Sequence, residues 1–261
     1  TPAATAEDRA ELETRYQIQD AAAVVSEPMP LIGWAVEDTF AAGRPPLERV
    51  GVRFVEDVTG YEKLKLRLLN AGHSALAYPG ILCGHRYIHE ALGNPAIAGL
   101  LEAFWRESQG TLSAVSGVSP QDYCRNLWER FGNQALRDTT ERVSSDGSGK
   151  IPSFVVPIAR ECIAAGRPPR MCGLIVAAWI RHLGGVDDQG QAFRVIDPQA
   201  DQLRPLALGD VSGLRALLAR ADIFADLAGN ETFATAVETA LRLLRERGVA
   251  QTIQAALGSA R

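Results

Sequence analysis

Residues 61–80, YEKLKLRLLNAGHSALAYPG, contain three side chains whose types and spacing suit proton transfer at an oxygen atom. The stretch 61–78 has no proline and a single glycine, which predicts a long helix. With about 100° per residue, His73 and Asn70 fall at about 80° and 140° from Lys65 on that helix. An amine that exchanges a proton, beside an amide and an imidazole that donate hydrogen bonds, can act on an alcohol or a carbonyl.

The surroundings of these polar groups leave two interpretations open. Leucines occur on all sides of the predicted helix, which favours a buried helix with a buried, leucine-walled Lys65. Asn70 and His73 could instead be core groups with satisfied hydrogen bonds, and a lysine among leucines can extend to water. Glu62 lies one turn before Lys65, where it could orient or relay a proton, or form a simple i,i+3 ion pair with the lysine.

The elements that must position this helix are predicted to be mainly α-helical, with a little β-structure near the start. Short strands are predicted at 21–29 and 52–58. Residues 184–208 are predicted to be a loop-rich insert with one strand, AFRVID. No GxGxxG motif follows a strand, so no nucleotide-binding Rossmann unit is predicted in this chain. Proline and glycine clusters separate the remaining predicted helices, at 81–92, 95–110, 119–131, 134–145, 152–165, 170–183, 209–226, 231–246 and 249–257.

Composition excludes several classes of protein. The 261 residues carry a formal net charge of −4, and no cluster of Lys and Arg suggests a nucleic-acid surface. No apolar run approaches the roughly 18 residues that a membrane span requires. The four cysteines contain no CxxC pair, which indicates reduced thiols and a cytoplasmic protein.

A zinc site is the one metal arrangement that the spacing suggests. His85 and His89 lie four residues apart, next to Cys83, and such a pair can hold zinc. The intervening glutamate of an HExxH motif is missing and a third ligand is not obvious. We therefore expect packing or surface histidines here, and no metal.

Several motifs in order give the chain a family resemblance. Lys65, Asn70 and His73 form a Lys-x4-Asn-x2-His pattern that resembles the signature of the polyol-specific long-chain dehydrogenases, the mannitol dehydrogenase family. The runs SEPMPLIGWAVEDTFAAGRP and DGSGKIP also resemble that family, so the likeness spans at least residues 26–160. Met29-Pro30 departs from the family pattern, where an aromatic residue and another spacer are usual, which suggests a difference in substrate.

The resemblance implies roles for the candidate residues. Lys65 would be the general base in oxidation and the general acid in reduction, with Asn70 and His73 donating hydrogen bonds to the reacting oxygen. It also implies that Arg142 and Lys150, from RVSSDGSGK, bind substrate hydroxyls or a carboxylate. A free lysine has a pKa of about 10.4, and burial with neighbouring cations lowers the pKa of a lysine towards neutrality.

The resemblance also implies the architecture. Residues 1–261 would form the helical C-terminal catalytic and substrate-binding domain, similar to the 6-phosphogluconate dehydrogenase C-terminal-like fold. An N-terminal Rossmann domain, absent from this chain, would bind NAD or NADP, and no metal would be used. The expected reaction is oxidation of a linear polyol to a ketose.

Two alternatives to a polyol dehydrogenase stay open. One is fructuronate reduction, which is a hexuronate reaction of the same family. The other is a non-catalytic helical interaction domain, which an exposed Lys65 far from Asn70 and His73 would favour.

Overall fold

The computed structural model describes residues 4–24 and 34–258, and it confirms the mainly helical class. Helix α1 spans Ala6–Tyr16 and begins with a capping box in which Thr5 and Asp8 exchange hydrogen bonds. Strand β1 (Ala35–Glu37) pairs in parallel with β2 (Arg53–Val55). The strand predicted at 21–29 is not seen at 21–24, which form a turn and coil, and its remainder lies outside the described residues.

The core is built around one buried helix. After α2 (Thr59–Leu64) and a π-helical turn (Lys65–Asn70), α3 (Ala71–Leu82) runs through the molecule with nearly every side chain buried. It packs against α4, α5, α7 and α10. The helices that surround it are α4 (Ile88–Gly93), α5 (Pro95–Gln109), α6 (Pro120–Phe131), α7 (Thr140–Ser144), α8 (Gly147–Lys150), α9 (Val156–Ala164) and α10 (Arg170–His182).

The C-terminal part differs from the sequence prediction in two places. The loop-rich insert contains no strand at AFRVID, and its last residues form α11 (Ala200–Leu208). The single helix predicted at 209–226 is divided into α12 (Val211–Leu218) and α13 (Ala221–Phe224), whereas α14 (Glu231–Gly258) consists of two helical segments, as predicted. A kink at Gly248, where φ is 73°, marks the predicted boundary between them.

The residues before the central helix contribute little to the core. Within 4–24 and 34–63 no residue is buried, and Leu64 is the first buried residue of the described chain. Trp34 is 74% exposed and Val50 is 78% exposed. Over the described ranges, no helix is at once long enough and apolar enough to cross a lipid bilayer.

Candidate active site

The segment that carries Lys65 and Asn70 is π-helical rather than α-helical. The amide of Ala71 donates to the Leu66 carbonyl, five residues back, and not to Arg67. An α-helical wheel separates Lys65 from Asn70 by about 140°. Five residues complete about one π-helical turn, because its hydrogen bonds join residues i and i+5. The turn therefore directs Lys65 and Asn70 to the same side.

A cavity of about 420 Å³ opens beside this turn. It brings together five of the six residues predicted from sequence, because Lys65, Asn70, His73, Arg142 and Lys150 all lie in its wall. The full lining is Lys65, Leu69, Asn70, His73, Ser74, Arg130, Leu136, Asp138, Arg142, Val143, Lys150 and Phe154.

Glu62 stands apart from this cavity. Its side chain is exposed and is not in the cavity wall. Among the residues that the structure describes, no ion pair joins Glu62 to Lys65, so the simple i,i+3 pairing is not formed. A role for Glu62 in proton relay stays a prediction.

The expected burial of Lys65 is wrong for this chain. Leu64 and Leu68 are buried, whereas Lys65 itself is exposed and lines the cavity. The leucines pack inward against the core, and the π turn directs the lysine away from them. Lys65 nevertheless shares the cavity with Asn70 and His73, so the arrangement expected of a non-catalytic domain, an exposed lysine far from both, is not seen.

His73 is held as a neutral imidazole. Its ring packs against Phe131 with a centroid distance of 4.6 Å. Burial lowers the pKa of His73 to about 4, assisted by the nearby Arg130 and opposed by the Asp138 carboxylate. At neutral pH the ring therefore has one N–H donor and one acceptor nitrogen, which suits a hydrogen bond to a substrate oxygen.

Lys150 enters the cavity from a turn that the core fixes tightly. Asp146 precedes α8 in a left-handed conformation with φ of 55°, and its amide donates to the Ile196 carbonyl at 2.8 Å. Asp197 accepts hydrogen bonds from the amide and the hydroxyl of Ser148, both at 2.7 Å. The irregular segment at 193–197 thus holds the turn, and this use of its backbone explains why it is not a strand.

The ammonium of Lys150 and the guanidinium of Arg142 have defined partners. Lys150 Nζ donates to the Val143 carbonyl at 3.0 Å. Burial lowers the pKa of Lys150, as does Arg142 nearby, while Asp146 opposes the shift. Arg142 is exposed and forms an ion pair with Asp138 through one Nη. A guanidinium has five N–H donors, so others can meet a ligand.

Arg130 and Asp138 are cavity residues that the sequence analysis missed. Asp138 lies four residues before Arg142, and that i,i+4 spacing of opposite charges is a signal that could have found it. Arg130 belongs to α6, remote in sequence, and no local pattern indicates it. Among the described lining residues, four cations face one carboxylate, so the cavity favours hydroxyl-rich or anionic ligands.

Gly147→Ala tests how far the core controls Lys150. A Cβ at Gly147 would meet Trp179 Nε1 and the Tyr78 hydroxyl at 2.8 Å or closer, and both rings are fully buried. We expect a loss of about 1–3 kcal/mol in unfolding free energy, because overpacking in a rigid core forces the backbone aside. Urea denaturation measures it. Gly93→Ala is the matched control, since nothing lies within 4 Å of that Cβ; equal stability of the two variants would contradict the prediction.

Elsewhere on the described surface, a second groove and the His85–His89 pair differ from this cavity. A larger groove of about 700 Å³ lies between α10 and α14, but its wall is mostly alanine, leucine and threonine. His85 lies 3.2 Å from Asn94 Nδ2, and His89 stacks on Tyr87. Within the described ranges, no three His, Cys, Asp or Glu side chains are grouped as metal ligands.

Comparison with known proteins gives consistent matches. A family model described as the mannitol dehydrogenase C-terminal domain matches residues 57–245. Mannitol 2-dehydrogenases of Phaeosphaeria nodorum and Pyrenophora tritici-repentis are each 40% identical to the chain, over 257 and 259 residues. Each match covers 97% of this chain, and 44% and 45% of the two relatives respectively.

Two solved structures of dehydrogenases also match the fold of this chain. Pseudomonas fluorescens mannitol 2-dehydrogenase, in a ternary complex with NAD and D-mannitol, has a TM-score of 0.91 and 39% identity, covering 99% of this chain and 52% of that one. A substrate-free D-sorbitol dehydrogenase has a TM-score of 0.86 and 32% identity, covering 97% and 52%. The chain spans about half the length of the relatives it matches.

Proposed function

The chain belongs to the mannitol dehydrogenase family, and from that membership we propose that it is the catalytic, substrate-binding half of an NAD-dependent polyol dehydrogenase. The proposed reaction oxidises a secondary alcohol of a linear polyol to a ketose. The observation that carries the proposal is the single cavity that holds Lys65, Asn70, His73, Arg142 and Lys150.

The residues of the cavity can divide the work of alcohol oxidation. Lys65 takes the hydroxyl proton of the polyol. Asn70 and His73 donate hydrogen bonds to the same oxygen as it gains negative charge, and donors that are already in place need no reorganisation. Arg142 and Lys150 bind the remaining hydroxyls and fix the chain of the substrate against the wall.

The dinucleotide-binding site is better assigned to another half of the protein than to this chain. The cavity, at about 420 Å³, is sized for a small ligand, and no glycine-rich turn follows either short strand. When bound, NAD supplies the hydride acceptor. Docking of the nucleotide-binding half would exclude water from the cavity that Lys65 lines.

The exposed residues before the central helix support the proposal that this chain packs against a partner domain. Residues 4–24 and 34–63 bury no side chain, yet they expose large apolar groups such as Val24, Trp34 and Val50. Exposed apolar side chains of this size are available for contact with another domain. We propose that this segment packs against the nucleotide-binding half, which accounts for the other half of the relatives' length.

A substrate panel on the complete two-domain enzyme tests the function. We expect turnover of mannitol, arabinitol or sorbitol with NAD, and reduction of fructose in reverse, measured by NADH absorbance. Turnover confined to fructuronate would assign the hexuronate reaction instead, which the cationic cavity also accommodates. Activity with NADP alone would correct the cofactor.

Calorimetry on the isolated chain tests the division between domains. We expect no measurable heat of NAD binding, because the cavity offers no dinucleotide site. A micromolar dissociation constant would place a nucleotide site within these residues.

No turnover of any compound in the panel by the complete enzyme would favour a non-catalytic interaction domain.

A further inference from the structure

The π-helical turn at Lys65–Asn70 needs an explanation, because an α-helix is the more stable default. In an α-helix the Ala71 amide would donate to the Arg67 carbonyl. Here it donates to Leu66, so the carbonyl of Arg67 loses its usual partner. Single π turns are frequent at functional sites. A donor outside the turn must therefore satisfy the Arg67 carbonyl.

Two side chains of α5 donate hydrogen bonds to carbonyls of this turn, and one of them bonds to Arg67. The indole Nε1 of Trp105 donates to the Leu68 carbonyl at 2.9 Å, and the Ser108 hydroxyl donates to the Arg67 carbonyl at 3.3 Å. Ser108 is fully buried and Trp105 is 5% exposed. The two donors lie three residues apart, on one face of α5. Buried carbonyls are costly to leave without a partner, so these donors favour the π turn.

Trp105 also reaches the next catalytic element. A Cβ at Gly72 would lie 3.2 Å from Trp105 Nε1, so the glycine lets the indole approach the helix backbone. The indole stacks on Phe131 at a centroid distance of 6.4 Å, and Phe131 packs against the His73 ring. One side chain therefore contacts the turn that carries Lys65 and Asn70, and through Phe131 it supports His73.

We propose that Trp105 and Ser108 are positioning residues, which hold the π turn and so direct Lys65 and Asn70 to the cavity. The inference rests on the proposed function for its effect on catalysis. Packing alone does not account for the pair: a buried serine hydroxyl adds little apolar surface, and it donates to a carbonyl of another helix. Without the donors, the Ala71 amide returns to Arg67, and Asn70 rotates away from Lys65.

Ser108→Ala and Trp105→Phe in the complete enzyme test the proposal kinetically. We expect kcat for polyol oxidation to fall roughly 10- to 100-fold, as for a misplaced catalytic group, with the KM for NAD unchanged. The pH profile of kcat should shift too, because the surroundings of Lys65 change. Thr252→Val is the matched control: it removes a buried hydroxyl that donates to the Gly248 carbonyl at 2.7 Å, far from the cavity, and should leave kcat unchanged.

Crystal structures of the same variants separate this inference from the proposed function. We expect the Ala71 amide to bond to the Arg67 carbonyl in at least the Ser108→Ala variant, which removes the hydroxyl that donates to that carbonyl. Wild-type kcat in both variants, or an unchanged π turn in both, would overturn the positioning role. The hydrogen-bond pattern decides the question even where the wild-type enzyme oxidises no polyol, an outcome that would defeat only the proposed function.

Discussion

Lys65→Ala in the complete enzyme should lower the turnover of polyol oxidation by roughly 100- to 10,000-fold, the range that general acid–base groups supply. The physical reason is that no other amine of the cavity shares the turn with Asn70, while Lys150 Nζ is held by the Val143 carbonyl. NAD affinity should stay nearly unchanged, because the proposed function assigns the dinucleotide to the other half of the enzyme. Steady-state kinetics and NAD titration by fluorescence measure both quantities.

Two further variants complete this test. The first is a control at a neighbouring lysine, and the second separates proton transfer from positive charge at position 65. Lys63→Ala removes an exposed lysine that lines a different groove, beside β2, and it should retain normal turnover. Lys65→Arg keeps the positive charge but cannot release its proton at neutral pH, so it should be as slow as Lys65→Ala. Near-normal turnover of Lys65→Ala would remove the lysine from the mechanism, and near-normal turnover of Lys65→Arg would make its role electrostatic. A small primary amine in solution should partly restore Lys65→Ala.

Much of the helical architecture follows from local sequence signals. Helices α5, α6 and α10 lie within two residues of their predicted bounds, because proline or serine marks each start, and each end has either a following glycine or basic residues in its last turn. The structure of the insert at 184–208 is harder to predict from the sequence. Its segment at 193–197 has a strand-like composition, but its backbone groups bond to Gly185 and Asp146, and tertiary contacts of that kind leave no periodic pattern.

Five members of the site are predictable from the sequence, whereas Arg130, Asp138 and the geometry of the site are not. Motif spacing identified Lys65, Asn70 and His73, and the structure places all three at one cavity. The helical wheel uses α-helical geometry over the whole segment, and it therefore predicts that leucines surround and bury Lys65. The π turn depends on donors from α5, forty residues further along the chain. Periodicity within the helix carries no information about such long-range partners.

Glu161→Gln should cost about 2–3 kcal/mol of unfolding free energy at neutral pH, the range for breaking hydrogen bonds to a buried charge. Arg67 lies inside the π turn and is 5% exposed, and it forms a bidentate pair with Glu161 while donating to the carbonyl and hydroxyl of Thr111. The amide of glutamine offers one acceptor in place of two. Glu161 is 37% exposed, so water partly compensates and the loss stays below that of a fully buried pair. Guanidinium denaturation measures it.

The pH dependence of this loss follows from the pKa of Glu161. The hydrogen bonds from Arg67 lower that pKa, and burial opposes the shift. A lowered carboxyl pKa stabilises the fold above the ordinary glutamate value of about 4.3, and that contribution disappears as the pH falls through the folded pKa. The stability difference between wild type and Glu161→Gln should therefore shrink in acid. Glu246→Gln, which removes an exposed pair with Arg242, should cost less than about 0.5 kcal/mol at any pH. A Glu161→Gln loss as small as that of Glu246→Gln, or one that persists in acid, would show that this ion pair does not hold the turn.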